Sequence, residues 1–308
     1  VSTQNHKIVV IIPYFGCWPN YFNIFLKGCE HNDWLDILFF TDCHLPQEKP
    51  KNVTFIKATL HEISLLATKK LGIDITIASP YKLCDFRPCY GVIFEDYLKD
   101  YDYWGYGDID LVYGDLKPFI VNRIAEGFDV LSNRSEILSG SLAFFKNTNF
   151  IKNLYAQSSL LIDQFTAPDY KGLDETAHNH TTWQGGDKLD LPPHCFTYLI
   201  ANEDKKGTIR ASFLSTCKEQ IEGSEIIHYQ NGLVSFEETS LAYYHYVCNK
   251  NRYEYRLPNW HDVPTSFFIT ATGFYKTDKF YWFINNYRKI SGFISNILIR
   301  IWKRLTKN

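Results

Sequence analysis

The sequence predicts an α/β fold: a central, mostly parallel, twisted sheet flanked by helices, with an amphipathic helical extension at the C-terminus. Three observations carry this expectation. Residues 7–13 (KIVVIIP) form a continuous β-branched run, the pattern of a strand buried on both faces. Strand-like and helix-like stretches alternate through the first half, as a parallel sheet with crossover helices requires. Residues 290–305 repeat apolar side chains at i, i+3, i+4, i+7 spacing, a helical stripe.

In order, the first strand ends in Pro13-Tyr14-Phe15-Gly16, a loop able to lie against a nucleotide, and Pro19 is placed to open a helix reaching about Cys29. Leu35 to Thr41 reads as the second strand. Asp42 follows just past its C-terminal end, where open α/β sheets bind ligands; a simple turn or helix cap is the equal alternative. Val53 to Lys57 is a third strand and Leu60 to Leu71 a helix. Ser79-Pro80 supplies an N-cap and a first-turn proline for a helix carrying Lys82, Asp85 and Arg87, restarted by Pro88 toward Tyr97. Lys82 and Asp85 share a face, either as an ordinary exposed pair or, with Arg87, directed at a ribose or phosphates.

The aromatic run Tyr101, Tyr103, Trp104, Tyr106 leads into Asp108-Ile109-Asp110. On a strand, residues i and i+2 share a face, so both carboxylates aim at one cation while Ile109 turns to the core. Two hard oxygen donors at a strand end suit Mg²⁺ or Mn²⁺ against a diphosphate. Gly114-Asp115 then turns into a helix reaching about Ala125, and Phe128–Ser132 and Ser141–Phe145 read as strands. Between them Ser139 and Gly140 allow a close backbone or ligand approach. Phe150 to Ile162 reads as one helix.

Ala167 to Pro193 is polar and aperiodic, and it concentrates Asp174, Glu175, His178, His180, Trp183 and Asp187. Long irregular segments in compact domains are functional or disordered. His178 and His180 lack the further ligands of a usual zinc site. His228 ends a short apolar strand beside Gly232 and can offer an imidazole to a divalent ion. Strands are expected over Arg252–Arg256 and Ser266–Thr272.

A net charge of −2 supplies no field for nucleic acid, so no nucleic-acid partner is expected. The eight cysteines contain no Cys-x-x-Cys pair, which argues against a zinc ribbon or disulfide scaffold and for a reducing cytoplasm. Ser2 to Lys7 is polar and Ile8 to Pro13 too short for a signal sequence, and no apolar run is long enough to span a bilayer. Arg300, Lys303, Arg304 and Lys307 lie off the C-terminal stripe. That profile fits either an interfacial anchor on an anionic membrane or a helix docked on its own domain.

Three separated pieces resemble the GT-A nucleotide-sugar glycosyltransferases, distantly the lipopolysaccharide-galactosyltransferase and glycogenin-like group. They are residues 104–116 around Asp108 and Asp110, Leu138–Asn147 (LSGSLAFFKN), and His228 with Gly232. The late motif departs from that group by lacking its Lys-Pro-Trp. Leu173-Asp174-Glu175-Thr176 stands where the group carries Asp-Gln-Asp. The chain is more similar to bacterial glycosyltransferase-like proteins found with surface-polysaccharide genes, which share its Pro-Tyr-Phe-Gly start and Gly-Asp-Ile-Asp strand.

The resemblance implies a UDP-sugar donor, Mn²⁺ or Mg²⁺ held by Asp108, Asp110 and His228, and a glycan or lipid-linked acceptor. Pro13, Tyr14 and Asp42 would border the base and ribose, with Lys82 and Arg87 toward the ribose or phosphates. Ser139 and Gly140 would lie against the donor sugar. Asp174 or Glu175, with Asp187 in reserve, would be the reacting carboxylate, with retention favoured over inversion. The expected organisation is a single GT-A catalytic domain over 1–235, with a nucleotide-sugar half (7–116) and an acceptor half (117–235). An extension (236–288) and the basic helix (289–308) follow, on the inner face of the cell membrane. The alternative is a GT-A-shaped protein that binds carbohydrate or nucleotide without turnover. A nucleotidyltransferase is disfavoured, because Pro13–Cys17 has no glycine-rich basic loop.

Overall fold

The structure, a computed structural model, describes residues 6–177 and 185–276. In chain order its first strands are β1 (Ile8–Pro13), β2 (Asp36–Thr41), β3 (Val53–Lys57), β4 (Tyr103–Gly107), β5 (Leu111–Tyr113), β6 (Val130–Ser132), β7 (Leu142–Lys146) and β8 (Ala211–Phe213). They continue as β9 (Cys217–Lys218), β10 (Ile226–Gln230), β11 (Leu233–Phe236), β12 (Thr239–Leu241), β13 (Tyr243–His245), β14 (Ser266–Thr270) and β15 (Gly273–Tyr275). The chain forms two compact units. Among the described residues, the first holds 6–18, Asn32–Ile109 and Lys117–Thr216; the second holds Pro19–His31, Asp110–Leu116 and 217–276.

The first unit is a mixed α/β layer structure. Its seven-stranded sheet has the order β3-β2-β1-β4-β7-β6-β8. β7 pairs antiparallel with both β4 and β6, and the other neighbours pair parallel, so β7 alone is reversed. The expected mostly parallel sheet flanked by helices is therefore present. β1 lies between β2 and β4, and Ile8–Ile12 are all buried, as the unbroken apolar run requires. Gly105 in β4 is forced by contact: a Cβ there would sit 2.4 Å from the Ala143 carbonyl of β7. The helix Leu60–Leu71 starts at a capping box, in which Thr59 and Glu62 each bond the other's backbone N–H.

Some expected helices take other forms. Pro80–Cys89 is 3₁₀-helical, followed by a short α-turn, Tyr90–Ile93, and a 3₁₀ turn, Glu95–Tyr97. Pro88 lacks the N–H that a continuous α-helix would need there. Phe150–Ile162 is not one helix but Asn149–Lys152, a 3₁₀ turn Leu154–Gln157 and Leu161–Thr166. The Asn153 side chain bonds back to the Asn149 carbonyl at 2.8 Å, and the Ser158 hydroxyl leaves to bond the His194 carbonyl at 2.9 Å. The helix Phe196–Lys205 has no counterpart in the sequence expectation.

The second unit holds a five-stranded sheet, β12-β11-β10-β14-β15, and a three-stranded sheet, β5-β13-β9. Its core is aromatic, with Tyr229 stacked on Phe267 at 4.4 Å and Phe274 beside them. The helix expected from Pro19 begins at Phe22. Arg252–Arg256 is turn rather than strand, joined to β15 by a single bridge from Arg256 to Gly273. Among the described residues no helix is long and apolar enough to cross a membrane. The pair His178 and His180 and the basic stripe 289–308 lie outside the described residues.

Candidate active site

In the order β3-β2-β1-β4, successive strands run outward one way and then resume on the other side of β1. Open α/β sheets bind ligands at such a switch, outside the carboxyl ends of the strands. Pro13 ends β1, and Asp108 follows directly after β4. The Asp108 N–H donates to the Ser141 carbonyl at 2.9 Å, fixing how the chain leaves the strand.

Arg87 is the hub of the first unit's cluster. One nitrogen of its guanidinium donates to Asp108 Oδ1, and the other donates to Asp174 Oδ2 at 2.9 Å. The guanidinium also lies over the Tyr106 ring at 5.4 Å. Asp174 is wholly buried, and its other oxygen accepts the Tyr170 hydroxyl at 2.7 Å. Burial pushes the Asp174 carboxyl up to about 7, against the opposing pull of Arg87. Glu175 Oε1 accepts the Gly140 N–H at 3.0 Å. A Cβ on Gly140 would meet that oxygen at 2.6 Å and the Arg87 guanidinium at 3.1 Å, so a larger residue would have to displace both side-chain ends. Arg87, Asp108, Gly140, Asp174 and Glu175 thus converge.

Other candidates hold the framework. Ser139 is buried, with its hydroxyl 3.0 Å from that of Ser141 and its N–H donating to Ser132 Oγ at 3.0 Å. Asp42 accepts the Gly16 N–H at 2.8 Å and so shapes the loop after β1. In that loop Tyr14 stacks on Trp18 at 5.0 Å. Lys82 lies away from any ligand surface. It is fully buried, and its ammonium donates to Asp85 at 2.8 Å and to the carbonyls of Gln164 at 2.5 Å and Asp169 at 3.0 Å. All three of its protons are taken. Asp187 is exposed and caps the turn Lys188–Asp190 through the Leu189 N–H at 3.0 Å.

In the second unit Asp110 is buried beside β13. Its Oδ2 accepts from the Lys250 ammonium at 2.7 Å and lies 3.4 Å from His245 Nε2. The other imidazole nitrogen faces Glu219 Oε1 at 3.4 Å. The pairing of Leu111 with His245 sets this register. Burial alone would raise the Asp110 carboxyl, but the hydrogen bonds and charges of His245 and Lys250 hold it well below the usual carboxylate range. Within the second unit Asp110 and His245 each offer one ligand atom to a metal ion, and Asp108 stands two residues before Asp110 in the chain. Carboxylates with an imidazole suit Mg²⁺ or Mn²⁺.

The histidine beside Asp110 is therefore His245. His228 is exposed on β10, edge-on to Phe268 at 4.6 Å. His245 and Lys250 escaped the sequence reading because they sit in a short tyrosine run without a glycine turn. Their five-residue spacing was the one available signal.

No curated protein matches the chain. Among solved structures it is similar to the galactosyltransferase LgtC in complex with donor and acceptor sugar analogs. That match has 11% identity and a TM-score of 0.29, and covers 51% of this chain and 64% of that one, less than two thirds of its length. It is also similar to mouse xyloside xylosyltransferase 1, apo form, at 10% identity and a TM-score of 0.37, over 79% of this chain and 98% of that one. A family model described as "Family of unknown function (DUF6625)" matches residues 10–278.

Proposed function

The chain belongs to the DUF6625 family, and we propose that it is a metal-dependent glycosyltransferase of the GT-A type using a nucleoside-diphosphate sugar. One observation carries this reading. The Asp108-Ile109-Asp110 triplet leaves the carboxyl end of β4 at the switch point. Each of its carboxylates is already matched to cations, Arg87 on the first and His245 with Lys250 on the second. A site that balances carboxylates with cationic side chains is built to accept a further cation together with an anionic ligand.

In this reading Asp108, Asp110 and His245 hold Mn²⁺ or Mg²⁺. The bound ion supplies Lewis-acid neutralisation of the departing diphosphate. Lys250 turns from Asp110, and Arg87 keeps Asp174 while its other nitrogen leaves Asp108, so that both reach the phosphate oxygens and stabilise the charge that builds there. Tyr14 and Trp18 offer a stacked aromatic surface to the base, uracil in our reading. Gly140 lets Glu175 and Arg87 close in on its backbone, and the donor sugar would lie beside them. Asp174 is sealed between Arg87 and Tyr170 and positions them, so Glu175 is the carboxylate we assign to the reacting centre. We take retention as the stereochemical outcome, with Glu175 supporting an oxocarbenium-like state. Tyr81 is 67% exposed and edge-on to Tyr170 at 4.9 Å, a place for an acceptor ring to rest. A hexose donor, galactose or glucose, and a surface-glycan or lipid-linked acceptor complete the proposal.

The test is turnover of a panel of UDP-sugars with and without Mn²⁺. Asp110→Asn should lower metal-dependent kcat by about 100-fold or more. No metal-dependent turnover of any donor, together with unchanged UDP binding in Asp110→Ala, rejects the enzyme. Metal-dependent UDP binding without turnover favours a carbohydrate- or nucleotide-binding protein instead.

A further inference from the structure

Two neighbouring segments of the first unit each bring a cysteine to the loop that follows β1. Cys17 sits between Gly16 and Trp18, and Cys43 between Asp42 and His44, just past the end of β2. A bond on each side clips these segments together. The Gly16 N–H donates to Asp42 Oδ1 at 2.8 Å, and the Trp18 indole N–H donates to the His44 carbonyl at 2.7 Å. Before them the Tyr14 N–H donates to the Phe40 carbonyl at 2.9 Å, which carries the parallel pairing of β1 and β2 one residue past Pro13. Neighbouring strands run about 4.8 Å apart, within the Cα separation of about 4.4–6.8 Å that a disulfide spans.

The two thiols differ as a sensing pair requires. Cys17 is exposed, whereas Cys43 is only 7% exposed. Burial pushes the Cys43 thiol up; the Thr41 hydroxyl opposes this, and the charges of Asp42 and Cys17 add to it. Cys17 therefore meets an oxidant first, while Cys43 stays a thiol beside it. Gly16 has a φ of +104° and nothing within 4 Å of where a Cβ would stand, so the loop has room to turn Cys17 toward β2.

We propose that Cys17 and Cys43 are an oxidation-sensing pair, joined by a peroxide in a reversible disulfide that weakens nucleotide binding at the crevice. The Cys17 sulfur attacks one peroxide oxygen. An S–O bond forms, the O–O bond breaks, and the departing oxygen leaves as water with the thiol proton. The Cys43 sulfur then attacks the Cys17 sulfur. The S–S bond forms, the S–O bond breaks, and a second water takes the Cys43 proton. Two thiols are oxidised, and one peroxide is reduced to two waters. The bond draws Cys17 inward. Its carbonyl accepts the Tyr14 hydroxyl at 3.2 Å and Trp18 is the next residue, so the stacked Tyr14–Trp18 pair shifts with it. The loss of nucleotide affinity rests on the reading of that pair as the surface for the base; formation of the disulfide does not.

The reduced full-length chain should be treated with hydrogen peroxide and digested with chymotrypsin, which cuts between Cys29 and Cys43. Peptides joining Cys17 to Cys43 are expected, and dithiothreitol should release them. UDP affinity should fall about fivefold or more on oxidation and return on reduction. Peroxide-treated Cys17→Ser should bind UDP as its reduced form does. Oxidation of Cys17 that stops at a sulfinate, or its joining to any other cysteine, overturns the proposal. So does a Cys17–Cys43 disulfide that leaves UDP affinity unchanged. If the reduced chain binds no UDP, the reading of the crevice fails, and the presence or absence of the linked peptides upholds or overturns the pair.

Discussion

Arg87 divides one guanidinium between Asp108, at the rim of the crevice, and Asp174, which has no solvent exposure. Losing that cation leaves a buried carboxylate with only the Tyr170 hydroxyl. Arg87→Met should therefore lower stability by about 3 kcal/mol or more, read from urea unfolding midpoints. Asp174 also sets a pH dependence. Its folded pKa, about 7, lies above the ordinary carboxylate value, so the folded chain holds this proton more tightly than the unfolded one. The stability tied to the protonated form is complete at low pH and is lost as pH rises through about 7. Urea midpoints should fall from about pH 5 to about pH 7.5, and fall less in Asp174→Asn. None of this was legible beforehand. The sequence placed Asp174 and Glu175 side by side as equals, and only burial separates a sealed positioning group from a half-buried one.

The 3₁₀ segment Pro80–Cys89 shows why some elements read well and others did not. β1, β3 and the helix Leu60–Leu71 follow from local signals: β-branched runs, and a Thr59–Glu62 capping box. Pro80–Cys89 is instead held from a distance. Lys82 bonds the carbonyls of Gln164 and Asp169, and Asp85 accepts the N–H groups of Lys171 and Leu173 at 2.7 and 3.0 Å. No window of sequence around Lys82 contains those partners, so an i, i+3 pair looked like a surface feature. Lys82→Ala should cost about 3–5 kcal/mol, because Asp85 stays buried without its cation. Hydrogen exchange should rise first at Lys171 and Leu173. The same distance effect hid β13, whose partners β5 and β9 lie far away in the chain.

At the scale of the whole molecule, the fold class and the placing of Asp108 at a strand end were legible, because alternation and strand-end acids are patterns within one stretch. The partition was not: the second unit takes Pro19–His31 and Asp110–Leu116 out of the first half of the chain. A ligand that binds the folded chain should report on the assembled site. The Mn²⁺–UDP complex, taken as one ligand at 100 times its dissociation constant, should stabilise the chain by about 2.7 kcal/mol, and a chelator should remove most of that gain. Thermal melts with UDP alone, Mn²⁺ alone and both would check this. The basic apolar stripe of residues 289–308 leads to a separate prediction. Removing Gly292 to Asn308 should shift the protein from the membrane fraction to the supernatant; an unchanged partition rejects a membrane role for that stretch.

The ion pair between Asp110 and Lys250 spans 140 residues of sequence. A ribosome makes chain from one end, so Asp110 is synthesised long before the groups that neutralise it. While the nascent chain grows, the strand order β3-β2-β1-β4 can assemble from residues already made, but Asp110 waits for His245 and Lys250. A message truncated anywhere between those points would yield a chain whose sheet is begun and whose acidic pair is left half matched. Pairing of Asp110 therefore waits for residues 140 positions further along the chain, a slow, long-range closure rather than a local one.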